Sequence, residues 1–118
     1  MSATDGPVSR YAEIMSSLDS QARNAIRRGK PTMWAYFVET REGLRSYFAH
    51  VTPTDGGYAG AALALSQRAE SRCATLPAHE AARLWALSVY ARRILASWGV
   101  GTGGRVSLQW LRDREVHQ

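Results

Sequence analysis

Apolar side chains recur at steps of three and four residues between positions 8 and 26 of the chain. This spacing places them on one side of an α-helix and leaves most charged residues on the other. Asp5-Gly6-Pro7 is a typical helix start, and Gly29-Lys30-Pro31 is a typical helix stop. The pattern predicts an amphipathic helix over 8–28, with a buried stripe made of Val8, Tyr11, Ile14, Met15, Leu18, Ala22, Ala25 and Ile26.

Two further helices are predicted, over 58–74 and 78–98. Thr54 is a good N-cap for the first of them, and Leu76-Pro77 separates the two. Trp85 and Val89 widen the apolar stripe of the last helix, which is typical of the central helix in a small domain. Three residues at the middle of this stripe are expected to be deeply buried: Leu87, Ala91 and Leu95.

The segment TMWAYFVETREGLRSYFAHVTP, residues 32–53, has an alternating pattern and many aromatic and β-branched residues. Both properties favour strands, so the segment predicts a β-hairpin. Gly43 can provide a positive φ in a three-residue loop with Arg41 and Glu42, which sets Glu39 opposite Arg45. A two-residue turn on Glu42-Gly43 is the alternative, and it shifts every pair by one position.

The three-residue loop gives the predicted hairpin two aromatic faces. A two-stranded ribbon cannot bury both faces by itself, so one is expected on the helices and the other under another element, a partner or stacked bases. One face carries Trp34, Tyr36, Val38, Phe48 and His50, and the other carries Met33, Phe37, Tyr47 and Val51 with Glu39 and Arg45.

Gly99, Gly101 and Gly104 have the G-x-G-x-x-G spacing of dinucleotide-binding turns. Such turns need a strand before the glycines and a helix after them, because the pyrophosphate binds at the helix N-terminus. Here a predicted helix ends at Gly99, and residues 105–110, RVSLQW, alternate like a strand. The glycines therefore predict a connection between a helix and a strand, and not a dinucleotide site. The alternative is an anion-binding nest, which a glycine-rich loop beside Arg105 can form.

These elements together predict an α+β fold with the order α-β-β-α-α-β. Its three-stranded, mainly antiparallel sheet packs against helices within a single domain over 1–118. The ends, about 1–6 and 112–118, are expected to fray. Whether the segment 105–111 forms a strand or a helix is left open by its pattern, since Leu111 and Val116 also fit a short helix.

Catalytic and metal-binding motifs are missing from the sequence. Cys73 is the single cysteine, which excludes an intrachain disulfide and a Cys-rich zinc site. There is no nucleophile elbow, His-Glu-x-x-His or P-loop, so we expect no enzyme, no catalytic residue, no cofactor and no metal. Neither a membrane-length apolar run nor a signal peptide is recognised, which favours a cytoplasmic protein without membrane contact.

The chain has a formal charge of +5. Lys30 is its single lysine, and its other strongly basic residues are all arginines. A basic protein favours acidic partners, namely nucleic acid or an acidic protein surface. Arg23, Arg27, Arg28 and Lys30 form the densest group of cations, although cations also stabilise a helix C-terminus without binding anything. The predicted binding residues are these four together with Arg41, Arg45, Trp34 and Tyr36.

The function predicted from these features is that of a small non-enzymatic binding protein. Its basic surface is expected to contact nucleic acid or a nucleic-acid-processing complex, with arginines on phosphates and aromatic rings on bases. The alternative is an inhibitor or adaptor of the phage or plasmid type, which blocks a larger machine by protein–protein binding. A homodimer that covers the second hairpin face is compatible with both.

Overall fold

The computed structural model describes residues 6–99, and within this range the chain consists of α-helices joined by short connections, without a strand. Its helices are α1 (Pro7–Arg27), α2 (Pro31–Phe48), α3 (Asp55–Arg72) and α4 (Ala78–Ala96). The three predicted helices are confirmed as α1, α3 and α4. The prediction of an α+β fold is wrong, because the segment expected to form the hairpin is α2. The expected third strand, 105–110, lies outside the described residues.

Helix α2 forms because its apolar residues also satisfy a helical spacing. Phe37, Thr40, Leu44 and Phe48 follow one another at three- and four-residue steps, and the last three are buried. Thr40 can be buried within a helix because its Oγ1 donates a hydrogen bond to the carbonyl oxygen of Tyr36 at 2.8 Å. Pro31 stands in the first turn, where a missing N–H costs nothing. Burial of this stripe outweighs the strand preference of the individual residues.

Gly43 lies inside α2 and not in a turn. A Cβ atom at Gly43 would stand 3.0 Å from Cδ2 of Leu87, so the flexible side chain of Leu87 packs over the glycine. The predicted pairing of Glu39 with Arg45 is also wrong. Glu39 instead pairs with Arg83 of α4 at 3.5 Å, and Arg45 pairs with Glu42 one turn earlier at 3.3 Å.

The end of α1 is closed by a left-handed glycine, as the stop signal predicts. Gly29 has φ +65°, and its N–H donates to the carbonyl oxygen of Ile26 at 3.1 Å. The N–H of Lys30 donates to the carbonyl oxygen of Ala25 at 2.9 Å. These two bonds form a Schellman motif, which turns the chain sharply into α2.

The start of α3 is capped as predicted and also anchors α1. Thr54 Oγ1 accepts a hydrogen bond from the N–H of Gly57 at 3.0 Å. Asp55 Oδ1 accepts one from the N–H of Val8 at 3.0 Å. The Asp55 carboxylate therefore satisfies an N–H in the first turn of α1, while its negative charge lies at the N-terminus of α3. The contact holds the beginning of α1 against the beginning of α3.

The core lies between two helical hairpins, α1–α2 and α3–α4. Helices α1 and α4 each pack against the other three. Tyr11, Phe48 and Tyr58 bring α1, α2 and α3 together, with ring centroids 4.9 to 5.2 Å apart. Burial raises the pKa of Tyr11 and Tyr47. Phe48 is thus a core residue, and the partly buried tyrosine rings pack against the core where the helices meet.

The predicted stripe of α4 is confirmed only in part. Ala91 and Leu95 are buried, whereas Leu87 is half-buried beside Gly43. Trp85 and Val89 are 45% and 42% exposed, so they do not widen the buried stripe as expected. Helix α4 is thus central in its contacts but keeps an apolar outer surface.

Candidate functional site

The junction of α1 and α2 gathers the densest positive charge of the described residues. Arg23, Arg27, Arg28 and Lys30, here called the basic tip, are all exposed. Arg27 lies in the last turn of α1, and the Schellman motif at Gly29 holds Arg28 and Lys30 next to it. Because the connection is so short, four cations are confined to one end of the hairpin.

No acidic side chain lies near these cations in the sequence, since the segment 20–38 contains neither Asp nor Glu. Within residues 6–99, none of the four forms an ion pair. Arg27 Nη2 donates a hydrogen bond to Asn24 Oδ1, which is a neutral acceptor. The positive charge of the basic tip is therefore not compensated in this part of the chain.

Exposed apolar side chains adjoin the basic tip. Ile26, Met33 and Trp34 are 55%, 46% and 40% exposed. Ile26 directly precedes Arg27 in the last turn of α1, and Trp34 lies in the first turn of α2, where its N–H donates to the carbonyl oxygen of Lys30 at 3.0 Å. Sequence reasoning missed Ile26, which it assigned to a buried stripe. The available signal was its position in the last turn of α1, where fewer neighbours cover a side chain.

The structure separates Trp34 from Tyr36, which the hairpin prediction had put on one face. In a helix, residues two positions apart point about 200° away from each other. Tyr36 instead lines a groove of about 300 Å³ between α2 and α4. Trp34 thus belongs to the surroundings of the basic tip, and Tyr36 belongs to a different surface.

Arg41 and Arg45 do not join the basic tip. Arg41 binds Asp19 of α1, and its Nε donates to Glu42 Oε2 at 3.0 Å. The hydrogen bond to Asp19 raises the pKa of Arg41, so this arginine stays charged and held between two carboxylates. Arg45 pairs with Glu42 and lies roughly 20 Å along α2 from Lys30. Of the eight predicted binding residues, the structure brings together Arg23, Arg27, Arg28, Lys30 and Trp34.

The described residues offer no group of His, Cys, Asp and Glu side chains that could hold a metal ion. In the same part of the chain, no helix has both the length and the hydropathy needed to cross a bilayer. The guanidinium and ammonium groups of the basic tip can bind anions, and exposed apolar surface lies beside them.

Comparison of the chain with protein-family models, with curated proteins and with solved structures found no match.

Proposed function

We propose that this protein binds nucleic acid through the basic tip. Arg23, Arg27, Arg28 and Lys30 contact phosphates, and the ring of Trp34 contacts a base. The observation that carries the proposal is the uncompensated charge of four exposed cations beside exposed Trp34. Surfaces that bind single strands combine these two features, because phosphates attract cations and every base has a face that stacks on an aromatic ring.

The spacing of the cations supports a chain of phosphates as the partner. Arg23 and Arg27 are one helical turn apart, roughly 6 Å along α1, and so lie on the same side of the helix. Arg28 and Lys30 extend the charge around the helix end. A nucleic-acid backbone carries a charge at every nucleotide and can engage several such cations at once.

The proposal is tested by the salt dependence of binding. Fluorescently labelled single strands and duplexes of about 20 nucleotides, longer than one binding site, are titrated with the full chain at several salt concentrations. The double variant Arg27→Gln/Arg28→Gln is expected to weaken binding of all sequences alike. Each lost phosphate contact should reduce the magnitude of the slope of log affinity against log salt by roughly 0.7–0.9.

Arg45→Gln is the matched control. It removes one arginine from the last turn of a helix, as Arg27→Gln does, but at a distance from the basic tip and beside Glu42. An equal loss of slope per arginine removed, which is half the loss of the double variant, would show diffuse attraction by a basic protein and would contradict a defined site.

Trp34→Ala tests the aromatic part of the proposal. Loss of a stacked base should cost about 1–3 kcal/mol of binding free energy on single strands, with a smaller effect on duplexes. If none of the oligonucleotides binds, while an acidic protein partner is bound and lost on Trp34→Ala, the inhibitor or adaptor function replaces nucleic-acid binding.

A further inference from the structure

A second surface, on the outer side of α4, is apolar and positively charged but lies apart from the basic tip. Trp85 and Val89 are separated by one helical turn and are about half exposed. The opposite side of α4 is already buried, with Ala91 and Ile94 at 0% exposure. The outer side is therefore the part of α4 where large apolar side chains stay partly open to solvent.

Two arginines on this helix are held over aromatic rings. The guanidinium carbon of Arg92 stands 4.7 Å from the ring centroid of Trp85, and that of Arg93 stands 5.4 Å from the ring of Tyr90. Within residues 6–99 neither arginine forms an ion pair. A guanidinium that stacks on a ring keeps its N–H donors at the edge of its plane, where a carboxylate can accept two of them.

The apolar part of this surface continues into the groove between α2 and α4. Ala82 lies on the same side of α4 as Trp85 and Val89, at three and seven residues' distance, and it also lines the groove. The groove has a volume of about 300 Å³, and its apolar lining includes Ala35, Ala86 and Leu87. The carboxylate of Glu39, which also lines the groove, is paired with Arg83. It offers space for an aliphatic side chain on the side of α4 that carries Trp85 and Val89.

We propose that the outer side of α4 (Trp85, Val89, Arg92 and Arg93) with the adjoining groove binds an acidic, amphipathic peptide segment of a partner protein. Carboxylates of the segment pair with Arg92 and Arg93, and its apolar side chains cover Trp85 and Val89 and enter the groove. Charge complementarity determines this choice of occupant. A second copy of the chain would bring a net charge of +5 and the same two arginines to the surface, so the like charges repel. A phosphate chain would leave Val89 and the apolar groove uncovered.

The test begins with a library of random peptides of about 15 residues, displayed on phage and selected against the full chain. The same selection against Arg92→Gln/Arg93→Gln is the reference. We expect the wild type to enrich peptides in which Asp or Glu flanks large apolar residues, and the double variant to lose this enrichment. Peptides without an acidic preference, or equal enrichment by both proteins, would overturn the proposal.

The most enriched peptide is then synthesised and titrated. Arg92→Gln/Arg93→Gln and Trp85→Ala should each weaken its binding about tenfold or more. Arg92→Lys/Arg93→Lys keeps the charge but loses the planar stacked donors, so its loss should be intermediate. Arg27→Gln/Arg28→Gln removes the same charge from the basic tip and should leave the affinity within about twofold, because distant sites behave independently.

Circular dichroism shows that each variant is folded before it is titrated, and Trp85 is exposed enough for its removal to spare the core. Equal weakening by Arg27→Gln/Arg28→Gln would assign peptide binding to general charge and overturn the proposal. Two further results would also overturn it, namely self-association of the wild type that Trp85→Ala abolishes and oligonucleotide binding that Trp85→Ala abolishes. The first would make the occupant a second copy, and the second would make it nucleic acid.

Discussion

The α1–α2 hairpin and the α3–α4 hairpin have the same architecture, but they depend on different kinds of information. Helices α3 and α4 are rich in alanine and leucine, so their residue preferences and their apolar spacing both favour a helix. Helix α2 is rich in aromatic and β-branched residues, whose preferences favour a strand. Its helical state is therefore imposed by the neighbours that bury Leu44 and Phe48.

The two hairpins also differ in what they expose. The first carries the basic tip, where four cations stand without a carboxylate and Trp34 is open to solvent. The second carries two arginines whose guanidinium groups lie over the rings of Trp85 and Tyr90. Among the described residues, the cations of the basic tip thus have neither a carboxylate nor a ring beside them that orients them, whereas Arg92 and Arg93 lie over aromatic rings. For this reason we assign the two surfaces different partners.

The largest effects are expected from truncations in the core. Leu44 of α2 and Leu65 of α3 are 0% and 1% exposed, so Leu44→Ala and Leu65→Ala should each lower the free energy of unfolding by roughly 2–5 kcal/mol. Leu87→Ala should cost less, because Leu87 is half-buried beside the groove. Urea denaturation measures all three. A negligible cost for Leu44→Ala would mean that α2 does not depend on its buried stripe.

The next effect concerns the start of α3, which has a side-chain cap, whereas α2 has none. Thr54→Ala removes the acceptor for the N–H of Gly57 and should cost about 0.5–2 kcal/mol. Thr75→Ala is the control, because the Thr75 hydroxyl only donates to a carbonyl oxygen at an exposed helix end. Equal small losses from both variants, measured by thermal unfolding, would show that α3 forms without its cap.

Two glycines of the first hairpin should respond with opposite signs. Gly29 has φ +65°, so Gly29→Ala places a side chain in a left-handed conformation and should cost about 1 kcal/mol. Gly43 lies inside α2, where alanine is favoured over glycine by roughly 0.5–1 kcal/mol. The new methyl group meets the flexible end of Leu87, which can shift toward the groove, so Gly43→Ala should stabilise the protein. A loss on Gly43→Ala as large as that on Gly29→Ala would contradict this view of the α2–α4 contact.

The smallest effect is expected from the ion pair that aligns α1 with α2. Arg41 and Asp19 are partly exposed, so their interaction should contribute about 0.2–1 kcal/mol in a double-mutant cycle with Arg41→Met and Asp19→Asn. The Glu39–Arg83 pair between the hairpins is longer, at 3.5 Å, and should contribute less. Added salt should weaken both interactions. A larger coupling for Glu39–Arg83 would show that the hairpins hold each other more firmly than α1 holds α2.

The sequence by itself determined three of the four helices and their ends. Helix starts and stops are local: Pro7, Thr54 and Gly29 act through the backbone within a few residues, so their roles could be read from the chain. The cluster of Arg23, Arg27, Arg28 and Lys30 was visible for the same reason, because consecutive turns of one helix keep neighbours in sequence close in space.

Only the tertiary structure decided that α2 is a helix and which of its side chains are buried. Phe37, Leu44 and Phe48 fit both an alternating and a helical pattern, and only the surfaces of α1 and α4 select the helical one. The helical conformation of α2 places Trp34 and Tyr36 on different surfaces and allows Arg41 to form an ion pair with Asp19. The packing of α4 likewise leaves Trp85 outside the core, although the position of Trp85 in the apolar pattern of α4 resembles that of buried residues. A side chain is buried only if another element packs against it. The local spacing of apolar residues does not determine which element that is.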